Sequence, residues 1–206
     1  MRTIFVLTTL AFSATAFADD TFQVTYAANL NVGDSVVNIT NSGASDSANL
    51  CANLYTFDPA EEMISCCSCL VTPNALQSLS VKKSLISNPL TPAVPTAVVI
   101  KMLATSGPCT AQVGETQRPH GLLAWGTTIH QTTPPPPPPP PPGGGAVFAA
   151  ATPAYGVTER AFQQADLSDA ELDHLYSTCG FIQSNGSGFG ICKGCAAGGL
   201  GAASAQ

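Results

Sequence analysis

The residues of this chain whose types and spacing could do chemistry are its eight cysteines: Cys51, Cys66, Cys67, Cys69, Cys109, Cys179, Cys192 and Cys195. Such thiols can be oxidised to disulfides, hold a soft metal ion as thiolates, or exchange electrons with a substrate. Cys66-Cys67-Ser68-Cys69 and Cys192-Lys193-Gly194-Cys195 each contain a C-x-x-C unit, and a pair of such units builds many four-thiolate zinc sites. The two units stand far apart in the chain, and neither is followed by histidine, as covalent haem attachment requires. Neither sits at a strand-to-helix junction, as a thioredoxin-like pair would. An even number of cysteines in an exported chain favours disulfides. All eight are therefore disulfide candidates, and no catalytic residue, metal ligand or cofactor is assigned.

Export is read from the N-terminus. Met1-Arg2-Thr3 precedes an apolar run from Ile4 to Phe17, and Ala16-Phe17-Ala18 forms a small-x-small cleavage site. The reading is a signal peptide over residues 1–18, with a run too short and too rich in Thr, Ser and Ala to span a bilayer. No later stretch is long and apolar enough to stop transfer, so no membrane span is expected in the mature chain. Only 10% of residues are charged, against roughly 25% in an ordinary globular domain. Ser, Thr, Asn, Gln and Gly must therefore coat most of the surface. The chain carries 7 basic and 13 acidic residues, and Lys82-Lys83 is its largest basic cluster. Phosphate binding needs clustered Lys and Arg, so nucleic acid is excluded as a partner class.

The elements that must position the cysteines start with Leu50 to Thr72, which holds four of them. Leu50–Phe57 and Met63–Val71 are dense in strand formers, and Asp58-Pro59-Ala60-Glu61-Glu62 between them makes a hairpin or corner. In an extended second run, Cys67 and Cys69 point to one face and Cys66 to the other. Further strands are read at Thr21–Ala28, Asp34–Thr40, Ala75–Val81, Thr96–Leu103 and Gly121–Ile129, with a loop from Asn88 to Pro95. Nine prolines, Pro134 to Pro142, followed by Gly143 to Gly145, break the composition; such a rod extends roughly 28 Å. Ser168-Asp169-Ala170-Glu171 is a capping box opening a short helix with Leu172, Leu175 and Tyr176 on one face and Gly180 as its stop. A shorter helix is read over Thr158–Ala165, and a hairpin about Asn185-Gly186-Ser187.

The expected fold is mainly β: an antiparallel immunoglobulin-like β-sandwich over residues 19–131, a polyproline and Gly-rich loop or linker over 132–157, a helix and hairpin packed on the sandwich over 158–195, and a disordered tail over 196–206. Five cysteines precede the prolines and three follow, so full pairing requires at least one bridge between the halves. Two of Cys179, Cys192 and Cys195 are expected to pair locally, and the third with the Cys66–Cys69 cluster.

Other candidate groups are sparse. His120, His130 and His174 form no H-x-x-x-H or H-E-x-x-H pair, and no G-x-S-x-G is present. Asp58, Glu61 and Glu62 could bind calcium. Asn38-Ile39-Thr40 and Asn185-Gly186-Ser187 fit the glycan acceptor pattern. The functional expectation is an exported, non-catalytic structural, cell-surface or adhesive protein with an unidentified extracellular partner. The alternatives are an extracellular binding module for carbohydrate, peptide or metal, marked by Trp125, Tyr155 or Phe189 on one face, and a secreted enzyme whose site no motif reveals.

Overall fold

Alternation explains the second strand. Val37, Ile39 and Asn41 point inward and are buried, while Val36, Asn38 and Thr40 face outward and are half-buried, the period-2 pattern of a strand with one covered face. A computed structural model describes residues 21–44, 48–106, 109, 118–132 and 153–195. The segment read as a signal peptide, the polyproline run and the segment read as a C-terminal tail lie outside the described residues.

Among the described residues the strands are β1 (Phe22–Ala27), β2 (Val36–Asn41), β3 (Leu50–Phe57), β4 (Met63–Val71), β5 (Leu76–Ser80), β6 (Val98–Thr105), β7 (Leu122–Thr132), β8 (Ala154–Ala161) and β9 (Gln163–Gln164), with one α-helix, α1 (Asp169–Ser184). They form a mainly β structure of two antiparallel sheets, one in the order β4-β3-β6-β1-β9 and the other β5-β2-β7-β8. The core between the sheets draws Leu50, Ala52 and Leu54 from β3, Val98, Ile100 and Met102 from β6, Val37 and Ile39 from β2, and Leu122 and Ala124 from β7.

Every residue of β3 is buried, on both faces, because the larger sheet is covered twice. Its outer face carries Phe22, Tyr55, Phe57, Met63, Cys66 and Leu103, and α1 lays Leu175, Cys179 and Ile182 over them. These helix positions follow i, i+4 and i+7, one stripe of a helical face. At about 25 cal/mol per Å² of apolar surface removed from water, this second core adds materially to what the inter-sheet core supplies.

Low charge shapes how the sheets are joined, since neutral amides take the place of ion pairs in crossing from one to the other. Gln23 Nε2 of β1 donates to the Leu122 carbonyl of β7 at 2.7 Å. Asn41 Nδ2 of β2 donates to the Val71 carbonyl of β4 at 3.1 Å. Buried Asn53 donates to the Leu103 carbonyl at 3.1 Å and to Thr105 Oγ1 at 2.9 Å, and accepts from Ser68 Oγ. A buried amide needs such partners to offset its lost hydration.

The chain after the prolines departs from the sequence reading in three places. Thr158–Ala165, read as a helix, is strand: β8 pairs along its length with β7, and β9 with β1. Helix formers such as Glu159, Arg160 and Ala161 are tolerated because β8 is a solvent-exposed edge strand that needs no apolar alternation. The helix does not stop at Gly180 but runs to Ser184, since Ile182 continues its buried stripe. Asn185-Gly186-Ser187 ends that helix, with Gly186 at φ 71°, and no hairpin forms there. Half of the capping box is present: Ser168 Oγ accepts from the Glu171 N–H at 3.2 Å, while the Glu171 carboxylate pairs with Lys101.

Tyr55 carries a stability prediction. Its side chain is fully buried in the outer core, and its hydroxyl has no hydrogen-bond partner among the described residues. Burial pushes the phenol well above the ordinary tyrosine range, and Tyr176 adds to the shift. Tyr55→Phe removes the orphaned hydroxyl at little change in shape and is expected to stabilise by about 1 kcal/mol, read as a higher denaturant midpoint. The same group makes the fold sensitive to alkali. Beyond pH 10, the ordinary tyrosine value, the unfolded chain releases this proton while the folded chain keeps it. Stability contributed below pH 10 is thus lost as pH rises, at up to about 1.4 kcal/mol per pH unit. The decline above pH 10 should be shallower in Tyr55→Phe; an equal slope in both proteins would remove Tyr55 as its source.

Candidate functional site

All eight cysteines fall into four pairs: Cys51–Cys109, Cys66–Cys179, Cys67–Cys192 and Cys69–Cys195. The Cα–Cα distances are 5.2, 5.9, 5.5 and 4.7 Å, all within the range disulfides span. The alternation of β4 sorts them. Cys66 belongs to the outer core and meets Cys179 of α1, whereas Cys67 and Cys69 belong to the inter-sheet core and meet Cys192 and Cys195. Three bridges therefore join the part before the prolines to the part after. The expected local pair among Cys179, Cys192 and Cys195 does not form.

Backbone contacts explain why. β4 is an edge strand, and its free edge takes up the segment after α1: the Cys66 N–H donates to the Gly190 carbonyl at 2.8 Å, and the Cys192 N–H to the Cys66 carbonyl at 3.4 Å. The Gly190 N–H reaches the Asn88 carbonyl, and the Lys193 N–H the Ser84 carbonyl, each at 2.8 Å. The segment lies as a short strap along β4, which also shields an edge that could otherwise pair with another chain. This parallel alignment sets Cys192 and Cys195 beside Cys67 and Cys69 and away from each other as partners.

The zinc alternative drawn from Cys66-x-x-Cys69 fails in that form, because Cys66 lies on the opposite face of β4. The sulfurs that do converge are different. Cys67 Sγ lies 3.7 Å from Cys195 Sγ across the two bridges, and the ligand atoms of Cys67, Cys69 and Cys195 all lie within 4.8 Å of one another. Among the described residues this is the group of three or more His, Cys, Asp and Glu side chains close enough to share an ion. Asp58, Glu61 and Glu62 do not converge in that way. Asp58 Oδ1 instead accepts from the N–H groups of Ala60 and Glu62 at 2.9 and 3.0 Å, and Glu61 adopts φ 67°, a side-chain-closed turn between β3 and β4.

A groove of about 340 Å³ lies at that corner, lined by Phe57, Asp58, Glu61, Val99, Lys101, Glu171 and His174. Lys101 pairs with Glu171 at 2.5 Å and sits 4.7 Å over the Phe57 ring, and His174 stands 6.3 Å from the same ring. The groove offers both signs of charge on an aromatic floor. No Ser, Thr or Cys side chain is among its lining residues.

The remaining candidates stay apart. His130 is exposed on β7, its Nδ1 3.3 Å from Thr158 Oγ1, and His174 lies on α1. Trp125 and Tyr155 occupy neighbouring strands, but their rows in the β7–β8 ladder are six residues apart, or roughly 20 Å at strand spacing. Phe189 lies beside the other sheet, on the strap. These three aromatic residues share no single face. Asn38 faces outward from β2, accepting from Ser78 Oγ at 2.6 Å, and Asn185 is exposed at the end of α1.

No protein-family model, curated protein or solved structure matches the chain. Among the described residues no helix is long and apolar enough to cross a membrane.

Gly190 reports on the strap. At φ 77° it occupies a conformation L-residues avoid, and a Cβ there would lie 2.7 Å from Ile182 Cγ2 and 3.3 Å from the Ile64 carbonyl. Gly186, at φ 71°, has nothing within 4 Å of the same position. Gly186→Ala is expected to cost about 1 kcal/mol from backbone strain alone. Gly190→Ala should cost about 2–4 kcal/mol, because it adds the clash. Equal chemical-denaturation midpoints for the two variants would show that the strap is not packed against α1 and β4.

Proposed function

We propose that the chain is an exported, non-catalytic structural protein that works at a cell surface, in a matrix or as an adhesive component. The observation that carries this reading is the complete pairing of all eight cysteines, three of the bridges strapping the C-terminal segment across one strand. Disulfides persist in oxidising compartments, and the N-terminal sequence has the form of a signal peptide. The polar, weakly charged surface suits the same setting. The finer description of the fold that we propose is immunoglobulin-like, on the ground that the chain passes repeatedly between two antiparallel sheets. A test is to express the chain with its own N-terminus: recovery outside the cytoplasm, beginning at Asp19 and free of thiols, is expected. Retention inside the cell with reactive thiols would end this reading, and so would robust turnover by the purified protein in an unbiased hydrolase and oxidase screen.

A second reading, an extracellular binding module, is favoured by the groove over Phe57, where Lys101, Glu171, Asp58 and His174 could meet a polar or zwitterionic ligand. In a screen of glycans and short peptides, a ligand that perturbs the His174 ring signals and loses affinity in Lys101→Ala would promote this reading over the first.

A further inference from the structure

The two bridges at the strap stand close enough to share their sulfurs. A zinc ion held by four thiolates at about 2.3 Å separates each pair of sulfurs by about 3.8 Å, the edge of the tetrahedron. Cys67 Sγ and Cys195 Sγ, which are not bonded to each other, already stand 3.7 Å apart. Cys67, Cys69 and Cys195 place their sulfurs within 4.8 Å of one another, and Cys192 is bonded to Cys67. Cys192 stands outside that group of three, so the remaining adjustment is for each bonded pair to open once its bond is gone and for Cys192 to swing in toward the other sulfurs.

The backbone around them has the form such a site needs. Cys67 and Cys69 project from one face of β4, held by its ladder to β3. Cys192 and Cys195 flank a turn in which Gly194 takes φ 92° and the Lys193 N–H is held by the Ser84 carbonyl at 2.8 Å. Cys67 and Cys69 are buried against the inter-sheet core, while Cys192 and Cys195 are partly open to solvent, which leaves a route of entry. An apolar wall on one side keeps metal–thiolate attraction strong by excluding water.

We propose that, when both bridges are reduced, Cys67, Cys69, Cys192 and Cys195 form a four-thiolate site for one zinc-class cation. The reduced form is that of a chain before oxidation, or one returned to a reducing medium. Each bridge takes two electrons and two protons from a dithiol, which becomes a disulfide, and yields two cysteine thiols. The four thiols then release four protons as one divalent cation binds, leaving a complex of net charge −2. The bridged and metal-bound forms exclude each other, since the same sulfurs serve both.

The test uses the full mature chain, reduced with dithiothreitol, desalted without oxygen and titrated with zinc chloride. One zinc per chain is expected. Its addition should slow alkylation of Cys67, Cys69, Cys192 and Cys195 relative to the zinc-free chain while leaving Cys51, Cys66, Cys109 and Cys179 at their zinc-free rates. The comparison is needed because Cys51, Cys66 and Cys179 are buried in any case. The Cys66→Ala/Cys179→Ala variant, which lacks the outer bridge, should still bind one zinc, and Cys67→Ser/Cys192→Ser should bind none tightly. Zinc-dependent protection spread evenly over all eight thiols overturns the proposal. So does unchanged zinc uptake in Cys67→Ser/Cys192→Ser, or a reduced chain that unfolds equally with and without zinc. Dependence on reduction separates this inference from the proposed function, because failure to bind zinc leaves the oxidised protein's export and bridges untouched.

Discussion

Cutting the chain between Pro142 and Phe148 is expected to release nothing until a reductant is added. Three bridges cross the cut, from Cys66, Cys67 and Cys69 to Cys179, Cys192 and Cys195, so no single cysteine substitution should free the fragments either. Non-covalent contacts cross it too, since the eight-residue ladder between β7 and β8 and the packing of α1 join the same two pieces. A protease site inserted there should give one band on a non-reducing denaturing gel and two bands after reduction. Clean separation without reductant would mean that the bridges are not those described. Thr132 and Ala154 are paired directly across the β7–β8 ladder, and such partners lie about 5 Å apart. Twelve residues remaining after deletion of Pro134 to Pro142 suffice to close that gap, and the shorter loop changes closure entropy by only about 0.5 kcal/mol. The deletion should leave the denaturation midpoint nearly unmoved.

Local periodicity made the first half of the fold legible. Strand positions from Thr21 to Ile129 follow from β-branched and aromatic density, and the split of Cys66 from Cys67 and Cys69 follows from the two-residue repeat of an extended chain. Parity required a bridge between the halves, and three are present. What the sequence hid is set by tertiary contacts. β8 is a strand because β7 offers it a ladder, against the helix propensity of Glu159-Arg160-Ala161. α1 continues through Gly180 because Ile182 finds a place in the outer core; burial outweighs the roughly 1 kcal/mol that glycine costs inside a helix. The local pairing expected for the last three cysteines treated proximity in sequence as proximity in space. The strap's hydrogen bonds to Cys66, Asn88 and Ser84 decide the matter instead, and each joins residues remote in the chain. The groove over Phe57 was hidden likewise, since Lys101, Glu171 and His174 come together only once α1 lies on the sheet.

The bridges should also differ in worth in an order opposite to their span. Cys51–Cys109 encloses the shortest stretch, 58 residues, while the other three enclose 113, 125 and 126. Considered one at a time in the chain-entropy model, the long bridges would be the stronger, near 5 kcal/mol each. They are not independent, because each is closed in the presence of the other two. With Cys67–Cys192 intact, the ring closed by Cys66–Cys179 runs from Cys66 to its neighbour Cys67 and from Cys192 back to Cys179, about 14 residues, so its loss should cost only about 3 kcal/mol. Cys67–Cys192 and Cys69–Cys195 close a ring of about five residues between them and should each cost about 2 kcal/mol when removed alone. No other bridge shortens the path from Cys51 to Cys109, so that pair keeps its full effect, about 4 kcal/mol. Paired Cys→Ala variants, compared by denaturant midpoint and slope, should therefore rank Cys51–Cys109 as most costly, Cys66–Cys179 next, and the two strap bridges least. Removing both strap bridges together should cost more than the sum of the single losses, because the path that made each redundant is gone. Strict additivity, or a ranking that follows sequence span, would show that the three inter-half bridges do not constrain one another and that the strap is not the closed double ring seen along β4.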